Sequence, residues 1–185
     1  GAFCQEESNV SKYAPLKRDG CALVVIDVQE KLLPAIHDFA AVLDRAVKMV
    51  TAAHTLQVPV LFTQHYTPGL GATHEALRNL QPEFAYIEKN IFNSFEVPEF
   101  VSQLTSLKVE NLVMLGTEAH ICLMQSALAA LEHGYGVHVV ADASGSRKPA
   151  NKELGLTRLS HTGAIISGSE ITVYESIGAS YAEKF

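Results

Sequence analysis

Cys122 stands where a nucleophile would be useful. It follows an apolar run, Leu112–Leu115, a break at Gly116 and the polar stretch Thr117–His120. After it, Leu123, Ala127, Leu128, Ala130 and Leu131 recur at helical spacing, with Gly134 as the expected C-terminal cap. A thiol at a helix N-terminus meets free N–H groups and the positive end of the helix dipole, both of which favour its thiolate. The plainer reading is a small buried residue, which describes most free cysteines. Asp27 closes another apolar run, Cys21–Ile26, and the carboxyl end of such a strand is where open α/β sheets bind ligands. Its alternatives are a helix cap or an anion held by loop amides. Lys89 precedes Asn90–Phe95 and reads, by itself, as a surface charge. His65 and His74 offer metal-binding nitrogens, but no further His, Cys or Asp clusters beside them, and isolated loop histidines are mostly solvated.

These residues need a scaffold, and the pattern supplies one. Cys21–Gln29 reads as a buried strand, followed by a helix capped by Asp38 and running to about Leu56. Val58–Thr63 is a second strand, and a long loop from Gln64 to Leu77 follows it. Ala85–Lys89 is a short strand, and Pro98 opens a helix to Leu107. Beyond the Cys122 helix, Tyr135–Asp142 is a strand, Ala143–Lys148 a loop, and a helix reaches Thr162. Ala164–Ile166 is a brief strand, and Glu170–Ile177 a closing strand or helix. Strands alternating with helices imply a doubly wound, mostly parallel α/β sheet. Residues 1–20 are expected as an N-terminal segment lying across the surface, and residues 21–185 as a single domain.

Composition narrows the function. A chain of 185 residues that is 48% hydrophobic and 18% charged can bury the core of one globular domain. Its net charge of −6 argues against a nucleic-acid partner, because phosphate binding needs a basic face. No apolar stretch approaches the length that spans a bilayer, so no membrane partner is expected. Cys4, Cys21 and Cys122 are too few and too scattered for a disulfide framework or a zinc site, which points to a reducing, cytoplasmic setting with an organelle left open. The opening GAFCQEESN lacks the charged and apolar regions of a signal peptide.

Three stretches together resemble the isochorismatase-like cysteine hydrolases: VVIDVQ around Asp27, EKNIFNSF around Lys89, and GTEAHICLMQSALAALEHGY around Cys122, followed by VHVVADASGSR. The similarity runs from Cys21 to about Ser176. It implies a Rossmann-like, three-layer fold with a six-stranded sheet, assembly into homo-oligomers, and a catalytic triad of Asp27, Lys89 and Cys122. It also implies an oxyanion hole from the backbone N–H groups of Ala119 and Cys122, and a cis peptide between Glu118 and Ala119. His65, Phe92, Glu118 and His120 are then expected to line the substrate pocket. The chemistry is sound in itself: a carboxylate takes the thiol proton, an ammonium holds the charge, and the same carboxylate later serves a leaving amine and water.

The departures are as informative. Nicotinamidases of this family hold a metal through an aspartate and two histidines after the second strand. Here His65 stands about where that aspartate belongs and Thr67 about where the first histidine belongs. No metal and no cofactor are therefore expected. Members that hydrolyse the vinyl ether of isochorismate lack the nucleophilic cysteine that this chain has. The leading expectation is a metal-independent hydrolase of a small amide or related carbonyl compound, working through a thioester on Cys122. The alternatives are a nicotinamidase-like amidase with an altered metal site, and a non-catalytic member that binds a small ligand or a protein.

Overall fold

The apolar runs become a single parallel sheet in the computed structural model, which describes residues 14–178. Cys4, residues 1–13 of the expected surface segment and residues 179–185 of the expected domain lie outside the described residues. The strands are β1 (Cys21–Ile26), β2 (Val60–His65), β3 (Ile87–Lys89), β4 (Asn111–Thr117), β5 (Gly136–Gly145) and β6 (Ile165–Ser167), in the order β3-β2-β1-β4-β5-β6. Every neighbouring pair is parallel. The helices are α1 (Phe39–Thr55), α2 (Thr67–Leu70), α3 (Glu75–Arg78), α4 (Pro98–Ser106), α5 (Cys122–Glu132), α6 (Pro149–Thr162) and α7 (Ser169–Ile177).

The unbroken hydrophobicity of β1 is explained by burial on both faces. Ala22, Val24 and Ile26 point into one core with Met114, Leu123, Ala127 and Leu159, under α4, α5 and α6. Cys21, Leu23 and Val25 alternate to the other face, against Ala46, Met49, Val50 and Phe62 under α1. β1 lies between β2 and β4, so the chain winds one way from it toward β3 and the other toward β6. The crevice beyond the carboxyl ends of β1 and β4 is the position such sheets use for ligands.

Three local expectations change, and one open alternative is decided. Asp38 precedes α1, but it sits in the left-handed region at φ 55° and its side chain makes no capping bond. The long loop holds two single-turn helices, α2 with a proline in its first turn and α3 capped by His74, whose Nδ1 accepts from the Ala76 N–H at 3.1 Å. β5 continues past Asp142 to Gly145, because a register shift between Met114 and Gly116 of β4 lets it pair again at Ser144 and Gly145. Glu170–Ile177 lies within a helix, α7. Gly116 is obligatory here: its φ is +131°, and a Cβ would lie 1.9 Å from the Ile26 carbonyl oxygen. That close approach brings the end of β4 against the end of β1.

Candidate active site

Asp27 is the first residue beyond β1, and its backbone is in the left-handed region at φ 50°, a conformation that non-glycine residues rarely adopt. Neighbouring strands fix it. The Thr117 hydroxyl donates to the Asp27 carbonyl at 2.6 Å, and the Asp27 N–H donates to the Thr63 carbonyl at 3.3 Å. Each carboxylate oxygen then has its own partner. The Thr63 hydroxyl donates to Oδ1 at 2.8 Å, and the Lys89 ammonium donates to Oδ2 at 2.6 Å. Lys89 is the last residue of β3, and its side chain is 0% exposed, with Asp27 at 1%. Lysine alone suggested a surface charge; the sheet instead turns it inward beside its counterion, which is how a buried charge is tolerated.

The Cys122 thiol faces both groups. The Asp27 carboxylate, a ring nitrogen of His65 and the Cys122 sulfur lie within 4.8 Å of one another. Burial pushes the thiol up to about 12, the negative charge of Asp27 adds to this, and Lys89 opposes it. Desolvation and the carboxylate together outweigh the ammonium, so the thiol is held protonated rather than as the thiolate that a helix N-terminus favours. Aspartate, histidine and cysteine are atom types that can hold a metal, but the Lys89 ammonium already lies among them, 2.6 Å from Asp27 and 3.3 Å from His65 Nδ1. A divalent ion would have to displace that charge.

The other expected residues divide. His65, the last residue of β2, is the register partner of Lys89 and stacks on Phe92 with ring centroids 5.5 Å apart. Burial and the Lys89 charge lower its pKa, so the ring is neutral near pH 7. Phe92 is half exposed at the outer side of that ring. Glu118 turns to Arg147, accepting from its N–H and its Nε, each at 3.0 Å. His120 Nδ1 lies 2.8 Å from the Ser146 hydroxyl. These two interactions tie the turn to the segment that follows β5, and Gly155 of α6 lets that helix close over it, since a Cβ there would lie 2.8 Å from the His120 Cα.

Two expectations at this turn are corrected. The cis peptide joins Thr117 to Glu118, one bond earlier than expected between Glu118 and Ala119. The Ala119 N–H is not free for an oxyanion, because it donates to the Gly145 carbonyl at 2.8 Å as β5 extends alongside β4. The Cys122 N–H, in the first turn of α5, donates to no backbone carbonyl among the described residues.

Several supporting residues escaped sequence reasoning. Thr63 was read only as the end of a strand; its register opposite Ile26 is what brings its hydroxyl to Asp27. Gln29 ties the end of β2 to the loop after it, with Oε1 accepting from His65 N–H at 2.7 Å and Nε2 donating to the His65 and Gly71 carbonyls. Ser126, on the helix that Cys122 opens, accepts from the Ser94 N–H at 3.0 Å and so fixes the segment after Lys89. No spacing in the sequence announces such a bond.

With the geometry described, the comparisons are direct. The isochorismatase domain profile matches residues 21–171. The isochorismatase domain-containing protein 2 of Xenopus laevis is 32% identical over 183 residues, covering 96% of this chain and 86% of its own. Isochorismatase family protein 1B of Dictyostelium discoideum is 31% identical, covering 83% of this chain and 77% of its own. A Caenorhabditis elegans structure described as MAR1 ribonuclease superposes with a TM-score of 0.87 at 33% identity, covering 93% of this chain and 88% of that one. YcaC of Pseudomonas aeruginosa, solved with hexane-2,5-diol and covalent acrylamide, shares the fold at a TM-score of 0.86 and 24% identity, covering 90% and 85%. A parallel α/β sheet with an acid, an ammonium and a thiol at its switch point defines a hydrolase-like class. The chain belongs to the isochorismatase family.

Proposed function

We propose that this chain is a metal-independent cysteine hydrolase of a small amide or related carbonyl compound, with Asp27, Lys89 and Cys122 as its triad. The observation that carries the reading is a buried ion pair placed against a buried thiol. Folding by itself gains little from such an arrangement, since a buried ion pair is about neutral or worse against well-packed apolar residues. The Asp27 carboxylate, with lone pairs left after Thr63 and Lys89 are served, accepts the thiol proton as sulfur attacks the carbonyl carbon. The C–N bond breaks and the leaving amine takes that proton. Water then loses a proton to Asp27 and attacks the thioester, the S–C bond breaks, and the thiol recovers its proton as the acid leaves.

Lys89 keeps the carboxylate aimed and offsets negative charge as it shifts to sulfur. With Ala119 engaged, the unclaimed Cys122 N–H is the donor for the developing oxyanion, a role typically worth about 3–4 kcal/mol. The ribonuclease name of the Caenorhabditis elegans relative fits this chain less well. A net charge of −6 repels a polyanion, and the charged groups at the centre are buried and paired. No helix among the described residues is long and apolar enough to cross a membrane. Half-exposed Tyr86, Ile91 and Phe92 beside the edge strand β3 support assembly into a homo-oligomer.

The test is a panel of small amides and esters, with ammonia or alcohol release measured beside mass spectrometry of acid-quenched protein. Turnover accompanied by an acyl adduct on the Cys122 peptide supports the reading. Absence of turnover across the panel, together with a Cys122 that acrylamide does not modify in the native protein, contradicts it and favours a ligand-binding member.

A further inference from the structure

The Lys89 ammonium has three protons and no lone pair, so in its buried place it needs acceptors. One proton goes to Asp27 Oδ2 at 2.6 Å, and the positive charge lowers the pKa of the Cys122 thiol against burial and Asp27. Another points at His65 Nδ1, 3.3 Å away. An ammonium has no lone pair, so this contact is a hydrogen bond only if His65 Nδ1 is the unprotonated nitrogen. The ring's other nitrogen then carries the proton. Three further contacts hold the imidazole in this pose. His65 and Lys89 are register partners on adjacent strands, Phe92 stacks on the ring, and Gln29 binds the His65 backbone on both its N–H and its carbonyl.

We infer that His65 is a positioning residue of this site: its Nδ1 lone pair takes a second proton of Lys89 and keeps the ammonium in place beside Asp27 and Cys122. The inference rests on the proposed triad and deepens it. His65 was expected to line the substrate pocket; the geometry assigns it to the triad's cation instead. Without that acceptor, Lys89 would keep a buried donor unsatisfied, or swing toward the carboxylate and leave the sulfur. Lys89, Asp27 and Glu88 are the charged groups whose fields act on the ring and the Cys122 thiol lies beside it, and among them Lys89 is the donor at hydrogen-bonding distance from Nδ1.

Two measurements test it on the full chain. The first compares acrylamide modification of Cys122 in wild type, His65→Leu and His65→Asn, resolving the limiting rate from the half-saturating concentration. The asparagine oxygen stands near the Nδ1 position and can still accept, whereas leucine fills space without accepting. His65→Leu is expected to lower the limiting rate about tenfold with half-saturation little changed, and His65→Asn to recover most of it. A raised half-saturation with an unchanged limiting rate would assign His65 to the pocket and overturn the inference.

The second measurement needs no variant: nitrogen-15 NMR of His65 near pH 7. A proton on Nε2 and none on Nδ1 supports the inference, and a proton on Nδ1 overturns it. Failure of the underlying triad reads differently. Wild-type Cys122 would then resist acrylamide, whereas failure of the His65 assignment leaves wild-type reactivity intact and His65→Leu equal to it.

Discussion

Cys21 and Cys122 occupy opposite ends of one sheet, and both thiols are held protonated. At the amino end of β1, burial pushes Cys21 up to about 11, with the charge of Asp19 adding to it. Its sulfur donates to the Arg18 carbonyl at 3.2 Å and lines a small apolar cavity with Leu16, Met49 and Val113. At the carboxyl end of β4, burial and Asp27 push Cys122 to about 12. Neither thiol ionises readily into solvent, the one proposed as the nucleophile included. What separates the two is a recipient for the proton: Cys122 has a carboxylate and an ammonium beside it, and Cys21 has a backbone carbonyl. Burial without a base makes a packing residue; burial with an internal base makes a proton-transfer pair.

The largest test of that contrast is serine at each position. Cys122→Ser should lower turnover on any substrate found by about a thousandfold or more, since a hydroxyl is a far weaker nucleophile, with folding retained by circular dichroism. Cys21→Ser should leave turnover near wild type. Equal effects at the two positions would dissolve the comparison.

Lys89→Met comes next. It leaves the Asp27 carboxylate buried without its cation and should cost about 3–5 kcal/mol in urea denaturation. It should also slow acrylamide modification of Cys122 relative to Cys21 in the same sample. A variant as stable as wild type would mean that the ion pair is not what holds Asp27.

A smaller effect is expected at Thr63→Val, which removes the donor to Asp27 Oδ1 while keeping the shape. The loss should be about 1–3 kcal/mol, with a several-fold slower Cys122 reaction as the carboxylate loses one of its two fixed partners.

The smallest concerns alkaline stability. Both thiols have folded pKa values above the ordinary value of 9.0, so above pH 9 the unfolded chain gives up protons that the folded chain retains. Stability must then fall as pH rises from about 9 toward 11 for Cys21 and 12 for Cys122. Each contributes a slope of at most about 1.4 kcal/mol per pH unit, and below pH 9 neither contributes. Cys21→Ala should flatten the slope of denaturation free energy against pH by about one proton between pH 9 and 11. An unchanged slope would show that Cys21 ionises freely in the folded protein.

The sheet was legible because its strands are unbroken apolar runs with helices between them, and a strand buried on both faces leaves that mark in sequence. Asp27 and Cys122 were legible as residues at the ends of such runs. Lys89 was not legible by itself, since nothing in AYIEK says that the short third strand is turned so that Ile87 and Lys89 both point inward. It needed the resemblance. Thr63, Gln29 and Ser126 were hidden for a different reason: each acts across strands or between a loop and a helix, and register decides the contact. The Ala119 N–H was read as free, because the extension of β5 that claims it depends on a register shift in β4.

The central claim is that Asp27 takes the Cys122 proton within the site. The most direct measurement is the pH dependence of acrylamide modification at Cys122, followed by peptide mass, in wild type and Asp27→Asn. Transfer between two groups of the protein exchanges no proton with solvent, so the wild-type rate should be flat between about pH 6 and 8. Asp27→Asn should lose that plateau and rise about tenfold per pH unit, as a thiol ionising into solvent must. A wild-type rate that climbs tenfold per pH unit through neutrality, parallel to the Asp27→Asn variant, would contradict the account.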